Sequence, residues 1–173
     1  MPVYALGDDV PDIHPDAYVH PDAVVIGRVR IEAEASIWPT VVLRGDDGAI
    51  VVGARTSVQD GTIVHTTAAH PTMIGASCVI GHNAHLEGCV IEDGSLVGSG
   101  SIVLHRAIVR SGALVGANAV VSNGVEVPSG AMALGVPAKM RLDAVEPGMF
   151  EPAVESYVVR ARRFRDELRR VDL

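Results

Sequence analysis

An aliphatic residue returns at every sixth position of this chain: Ile13, Val19, Val25, Ile31, Ile37 and Leu43. The beat resumes at Val52, Val58 and Val64, then at Ile74, Ile80 and Leu86. After one five-residue step it runs through Ile91, Val97, Val103, Val109, Val115, Val121 and Val127. Four residues after most of these stands a small residue, as at Ala17, Ala35, Ala84, Ser95, Ser101, Ala107, Ala113 and Ala119. A six-residue period fits neither a helix, at about 3.6, nor a free strand, at about 2. It predicts an all-β triangular solenoid in which each hexad makes one short strand and one corner, and three hexads make a rung. Two breaks interrupt the beat, Arg44–Val51 and Thr66–Met73. Both read as loops leaving the prism, and such insertions mark the working face of a solenoid.

The rest of the chain agrees with a narrow prism. Hydrophobic residues make up 48% of the sequence but aromatics only 3%, so the core must be aliphatic. Glycines that directly follow the beat, such as Gly53, Gly75, Gly81, Gly98 and Gly116, read as corner residues. The spacing divides the 173 residues into a solenoid over 1–140 and a C-terminal part over 141–173. In that part Val154, Tyr157, Val158, Ala161, Phe164 and Leu168 recur at helical spacing, which predicts an amphipathic helix against the prism or a neighbouring subunit. Flat faces and open ends favour capping and self-association, so an oligomer is expected.

Charge and cysteine content exclude several classes. The net charge of −7 argues against nucleic acid. Six arginines and three acids fall within residues 160–173, and that basic tail reads as a solvated or subunit-facing helix side. Two cysteines provide neither a disulfide framework nor a zinc motif. With no apolar run of about 18 residues and no signal-like N-terminus, the sequence predicts a soluble, cytoplasmic protein without membrane contact.

Polar residues capable of chemistry gather around the two breaks: Arg44, Asp46, Gln59 and Asp60 near the first, His65, His82, His85 and Glu87 near the second. Counting three faces per rung, Val64 and Leu86 fall on one face, so His65 and Glu87 should stand close together on the outside, about 4.8 Å apart. By the same count His82 lies directly above Asp60. Two imidazoles and a carboxylate suit zinc or another first-row divalent ion. His85, two residues before Glu87, is an alternative third ligand, and His105 is one rung further on.

The ordered motifs Ser36-Ile37-Trp38-Pro39, Leu43-Arg44-Gly45-Asp46, Gln59-Asp60-Gly61 with His65, and Gly81-His82 resemble the gamma-class carbonic anhydrase family. The resemblance covers nearly the whole chain, including the Gly135–Lys139 closure. It implies a left-handed parallel β-helix of hexapeptide repeats, assembled as a homotrimer with a metal shared between subunits. His65 and His82 match metal ligands, and Glu87 stands where the family has a third histidine. The ion would be Zn2+, or Fe2+, Co2+ or Ni2+. The implied reaction is that of a zinc lyase, metal-hydroxide attack on carbon dioxide to give bicarbonate. In it Gln59 would orient the hydroxide, Arg44 would pair with Asp46 and Asp60 across the subunit boundary, and Tyr157 would reach the site from the helix. Two other readings compete: a hexapeptide acyltransferase or thioesterase acting on acyl-CoA, and a non-catalytic metal-binding trimeric scaffold.

Overall fold

In the computed structural model, which describes residues 2–172, the chain winds into a left-handed β-helix of about seven turns and ends in one helix. The three faces can be followed by their inward residues, each pairing in parallel with its counterpart on the next rung. The first face stacks Val19, Ile37, Val58, Ile80, Val97, Val115 and Ala133. The second stacks Val25, Leu43, Val64, Leu86, Val103 and Val121. The third stacks Ile13, Ile31, Val52, Ile74, Ile91, Val109 and Val127. Nearly all of the inward side chains beyond the first rung are fully buried, and the core holds Val, Ile, Leu, Ala and Cys without a ring. Each such aliphatic side chain contributes about 1.5–3 kcal/mol of burial, so the hexad beat is the stabilising element of the fold.

Small inward residues fill the corners, and their hydroxyls find backbone partners. Thr56 Oγ1 donates to the Gly75 carbonyl at 2.7 Å and Thr62 Oγ1 to that of Gly81 at 2.8 Å. Cys78 and Cys89 are buried, and burial pushes their thiols up to about 11 and about 12 respectively.

The two breaks differ. The first is not a loop: Val42–Val52 is one 11-residue strand that stays paired with the 8-residue strand Val24–Ile31 while turning the corner. The register slips between Gly27 and Val29, and the two backbones press together there. A Cβ on Gly27 would lie 2.4 Å from the Gly45 carbonyl oxygen, and one on Gly45 would lie 2.6 Å from that of Arg28. Only glycine at both positions lets the pair of strands bend as one. The second break does leave the prism, as a tight turn in which the backbones of Thr67 and His70 bond each other at 3.2 and 3.1 Å.

A hairpin pairs Met132–Leu134 with Lys139–Arg141 in antiparallel fashion and closes the last rung. The helix, Glu151–Glu167, lies on the first face. Four of the six aromatic residues meet here, outside the prism. Trp38 stands 5.6 Å from Tyr18, 5.1 Å from Phe164 and 5.9 Å from Tyr157, ring centre to ring centre. The Trp38 indole N–H donates to the hydroxyls of Ser36 at 3.1 Å and Ser57 at 2.9 Å. Ion pairs fasten the same helix: Arg162 to Glu34, and Arg55 between Glu34 and Glu155. The basic tail is largely spent on contacts within the chain, with Arg162 on Glu34, Arg163 on Glu167, Arg165 on the Asp16 carbonyl and Arg170 on Asp172.

Candidate functional site

Two histidine–carboxylate groups occupy the second face and its leading edge. In the first, register sets Arg44, His65 and Glu87 in one outward column on three successive rungs. His65 is bonded at both ring nitrogens, Nδ1 to Glu87 Oε1 at 2.9 Å and Nε2 to Asp46 Oδ1 at 3.0 Å. A carboxylate only accepts, so both bonds form only when each nitrogen carries a proton. Glu87 in turn receives His85 Nε2 at 3.3 Å, and His105 Nε2 lies 3.4 Å from its other oxygen, without hydrogen-bond alignment. The His70 ring lies 6.0 Å from that of His105.

These contacts hold the carboxyls in their charged form. The hydrogen bond from His65 keeps Glu87 below the usual carboxylate range, helped by His85 and His105 against a smaller opposing effect of burial. For Asp46, burial opposes ionisation, yet its own backbone N–H, His65 and Arg44 outweigh it and hold the carboxyl low. Arg44 pairs with Asp46 of its own chain.

The second group is simpler. Asp60 and His82 stand one rung apart at the edge between the first and second faces, with His82 Nδ1 2.9 Å from Asp60 Oδ2. Both side chains are about half exposed, at 49% and 46%. The Asp60 carboxylate lies beside Nδ1, close but without hydrogen-bond alignment, and its charge favours a proton there and leaves Nε2 as the acceptor. Such a nitrogen can take a proton from an incoming hydroxyl or amine.

Several expected site residues stand elsewhere. Tyr157 belongs to the aromatic cluster on Trp38, with the Arg160 guanidinium 4.9 Å above its ring, so within the chain it serves helix docking. Gln59 is buried beneath the edge, at 5% exposure. Two histidines that were not expected at the site, His14 and His20, accept the backbone N–H two residues on, both at 3.1 Å, and shape turns. The bond from Asp46 to His65 was not anticipated from sequence, although the pairing of Arg44 with His65 across one rung carried the signal.

Among the described residues no group of three His, Cys, Asp or Glu surrounds a point where a cation would fit. His65 has both nitrogens on carboxylates, and His82 sits at a different edge on its own carboxylate. Within one chain the donor set His65, His82 and Glu87 does not converge.

A flat-sided hexapeptide β-helix carrying histidine–carboxylate pairs on its outer face is the class that fold and site define. Known proteins narrow it. The chain is 34% identical to a hexapeptide transferase family protein from Anaplasma phagocytophilum, with a TM-score of 0.89, covering 94% of this chain and 98% of that one. It matches a Bacillus cereus protein, provisionally described as an acetyltransferase, at 29% identity and a TM-score of 0.93, covering 96% and 98%. The carnitine operon protein CaiE of Escherichia coli is 43% identical over 104 residues, or 60% of this chain. The chain spans about half the length of such curated relatives, 53% in that case. No family model matches it. The chain belongs to the hexapeptide transferase family of left-handed β-helix proteins.

These relatives correct the expected reaction. Those that match along the whole chain are described as transferases, so the resemblance to gamma-class carbonic anhydrases holds for the hexapeptide β-helix and not for carbon dioxide hydration. Among the described residues no helix is long and apolar enough to cross a membrane.

Proposed function

We propose that the protein is a hexapeptide-class acyltransferase that moves an acyl group from a coenzyme A thioester to a hydroxyl or amine, with His82 as the general base. The reading rests chiefly on one observation: the Asp60 carboxylate lies 2.9 Å from His82 Nδ1 at an accessible edge, which directs Nε2 to act as the acceptor. The acceptor's proton passes to Nε2 as its oxygen or nitrogen bonds to the acyl carbon. The carbon–sulfur bond then breaks, and the thiolate leaves with the proton returned by His82. General-base assistance of this kind is worth about 10²- to 10⁴-fold in rate.

The same reading takes the working form to be a cytoplasmic homotrimer, with the thioester lying along the boundary between subunits. In its support, the outward column of the second face is apolar at Val24, Val42, Ile63, Ile102 and Val120, and Ile63 is exposed on the isolated chain. The expected result with acetyl-CoA and a panel of small alcohols and amines is acceptor-dependent release of free thiol. Thiol release that is lost in Asp60→Asn and His82→Ala alike supports the assignment. Turnover unaffected by both substitutions, or no turnover with any acyl donor, overturns it.

A further inference from the structure

A groove of about 910 Å³ runs between the C-terminal segment and the edge joining the third face to the first. Its volume lies within the range of small-molecule sites, about 300–1,000 Å³. His82 stands at the opposite edge of the first face, so the groove is separate from the base proposed above.

The floor of the groove is unusual for this solenoid. Up this edge the residues in the left-handed conformation run Glu34, Arg55 and Ser77, then Gly94, Gly112 and Gly130. The first three prove that the corner accepts side chains. At Gly94 and Gly112 an added Cβ would meet nothing within 4 Å, so packing does not demand glycine there. The absence of side chains leaves an open strip about 10 Å long over three rungs. Pro147 and Met149 line the facing wall.

The rim is acidic. Asp93, Glu146, Glu151 and Glu155 line it, and the cation among the lining residues, Arg55, is bonded to Glu155 at 2.7 Å and to Glu34 at 3.3 Å. This excess of negative charge repels phosphate, so the groove does not suit a coenzyme A donor. Asp93 stands on the solenoid edge and Glu146 and Glu151 on the C-terminal wall, so the carboxylates not taken by Arg55 present separate points of charge on two walls. That pattern matches compact ammonium groups rather than a planar guanidinium, which favours bidentate partners.

We propose that this groove binds a linear diamine or polyamine, with its methylenes along the glycine floor and Met149 and its ammonium groups at Glu146, Glu151 and Asp93. The test is calorimetric titration of the full chain with spermidine, and with an uncharged diol of similar length. Glu146→Gln/Glu151→Gln removes charge from the rim. Gly112→Asn fills the floor at a small cost in backbone strain, because asparagine tolerates the left-handed region best after glycine, and Asn83 and Asn118 already hold φ of 56° and 57° at another edge. Spermidine should bind as a single molecule per chain, about tenfold more weakly in each variant. Binding should also weaken as salt rises from about 20 to about 300 mM, because exposed charges are screened. His82→Ala should bind it normally, whatever becomes of acyl transfer. No binding to the unaltered protein, equal binding to Gly112→Asn, or equal binding of the diol would overturn the proposal.

Discussion

The two histidine–carboxylate groups bridge the same two rungs and are built from the same residue types, yet they are fitted for opposite tasks. At one edge the lower rung supplies Asp60 and the upper His82, and the ring keeps a free nitrogen. On the neighbouring face the lower rung supplies His65 and the upper Glu87, and neither nitrogen is free. The difference lies in the number of partners. His65 is enclosed between two carboxylates, and Glu87 is approached by three imidazoles at 17–36% side-chain exposure. His82 is half exposed with one carboxylate. Rung spacing alone produces a pair; a crowded column turns it into a structural knot, and an open edge leaves it available for chemistry.

His82→Ala is the sharpest way to break this contrast. Acyl transfer should fall by about 10²- to 10⁴-fold with little change in melting temperature, whereas His65→Ala should lower the melting temperature and change the rate only a few-fold. Parallel rate measurements and thermal scans on the two variants would reverse the assignment if the roles came out exchanged. Glu87→Ala comes next. It leaves His65 and His85 without their common acceptor and should cost about 1–3 kcal/mol in urea unfolding, with Glu87→Gln intermediate.

A smaller effect concerns acid. Glu34 is held below its ordinary value of 4.5, first by the hydrogen bond from Arg162, against burial, and then by Arg55. A depressed carboxyl stabilises the fold above its unfolded value and loses that contribution as pH falls through the lower folded value. Below about pH 4.5 the helix should therefore loosen from the first face. Trp38, the single tryptophan, reports this as a red shift in emission, and in Glu34→Gln the shift should lose most of its pH dependence. The smallest expected effect is that of a chelator: acyl transfer should survive dialysis against EDTA. Loss of activity with release of a stoichiometric ion, blocked in both His65→Ala and His82→Ala, would instead join the two histidines in one intersubunit metal site.

Much of the architecture was legible because a hexad repeat has few physical solutions. Register counting from Val64 and Leu86 placed His65 on Glu87, and the same count placed His82 on Asp60. Counting failed where backbones touch. Arg44–Val51 breaks the beat and so reads as a loop, but Gly27 and Gly45 let two strands turn the corner still paired. The same count put His85 on the strand of Glu87 and His105 one rung above it, and both approach that carboxylate, at 3.3 and 3.4 Å; their alignment depends on side-chain reach, which periodicity does not encode. Tyr157 has helical spacing with Val154 and Ala161, and only the position of Trp38 outside the prism decides where it goes. The reaction was least legible, since one fold hosts different chemistries.

Because the rungs meet only their neighbours, this protein is close to a one-dimensional chain of coupled units, and opening should start at its ends. The first rung is covered by the short strand Val3–Tyr4 on Val25–Ile26, and the last by the Lys139–Arg141 hairpin arm. Both histidine groups lie in the interior rungs. Amide exchange should accordingly be fastest near the two ends and slowest around Val58–Leu86, a gradient that puts the site in the last segment to lose its shape.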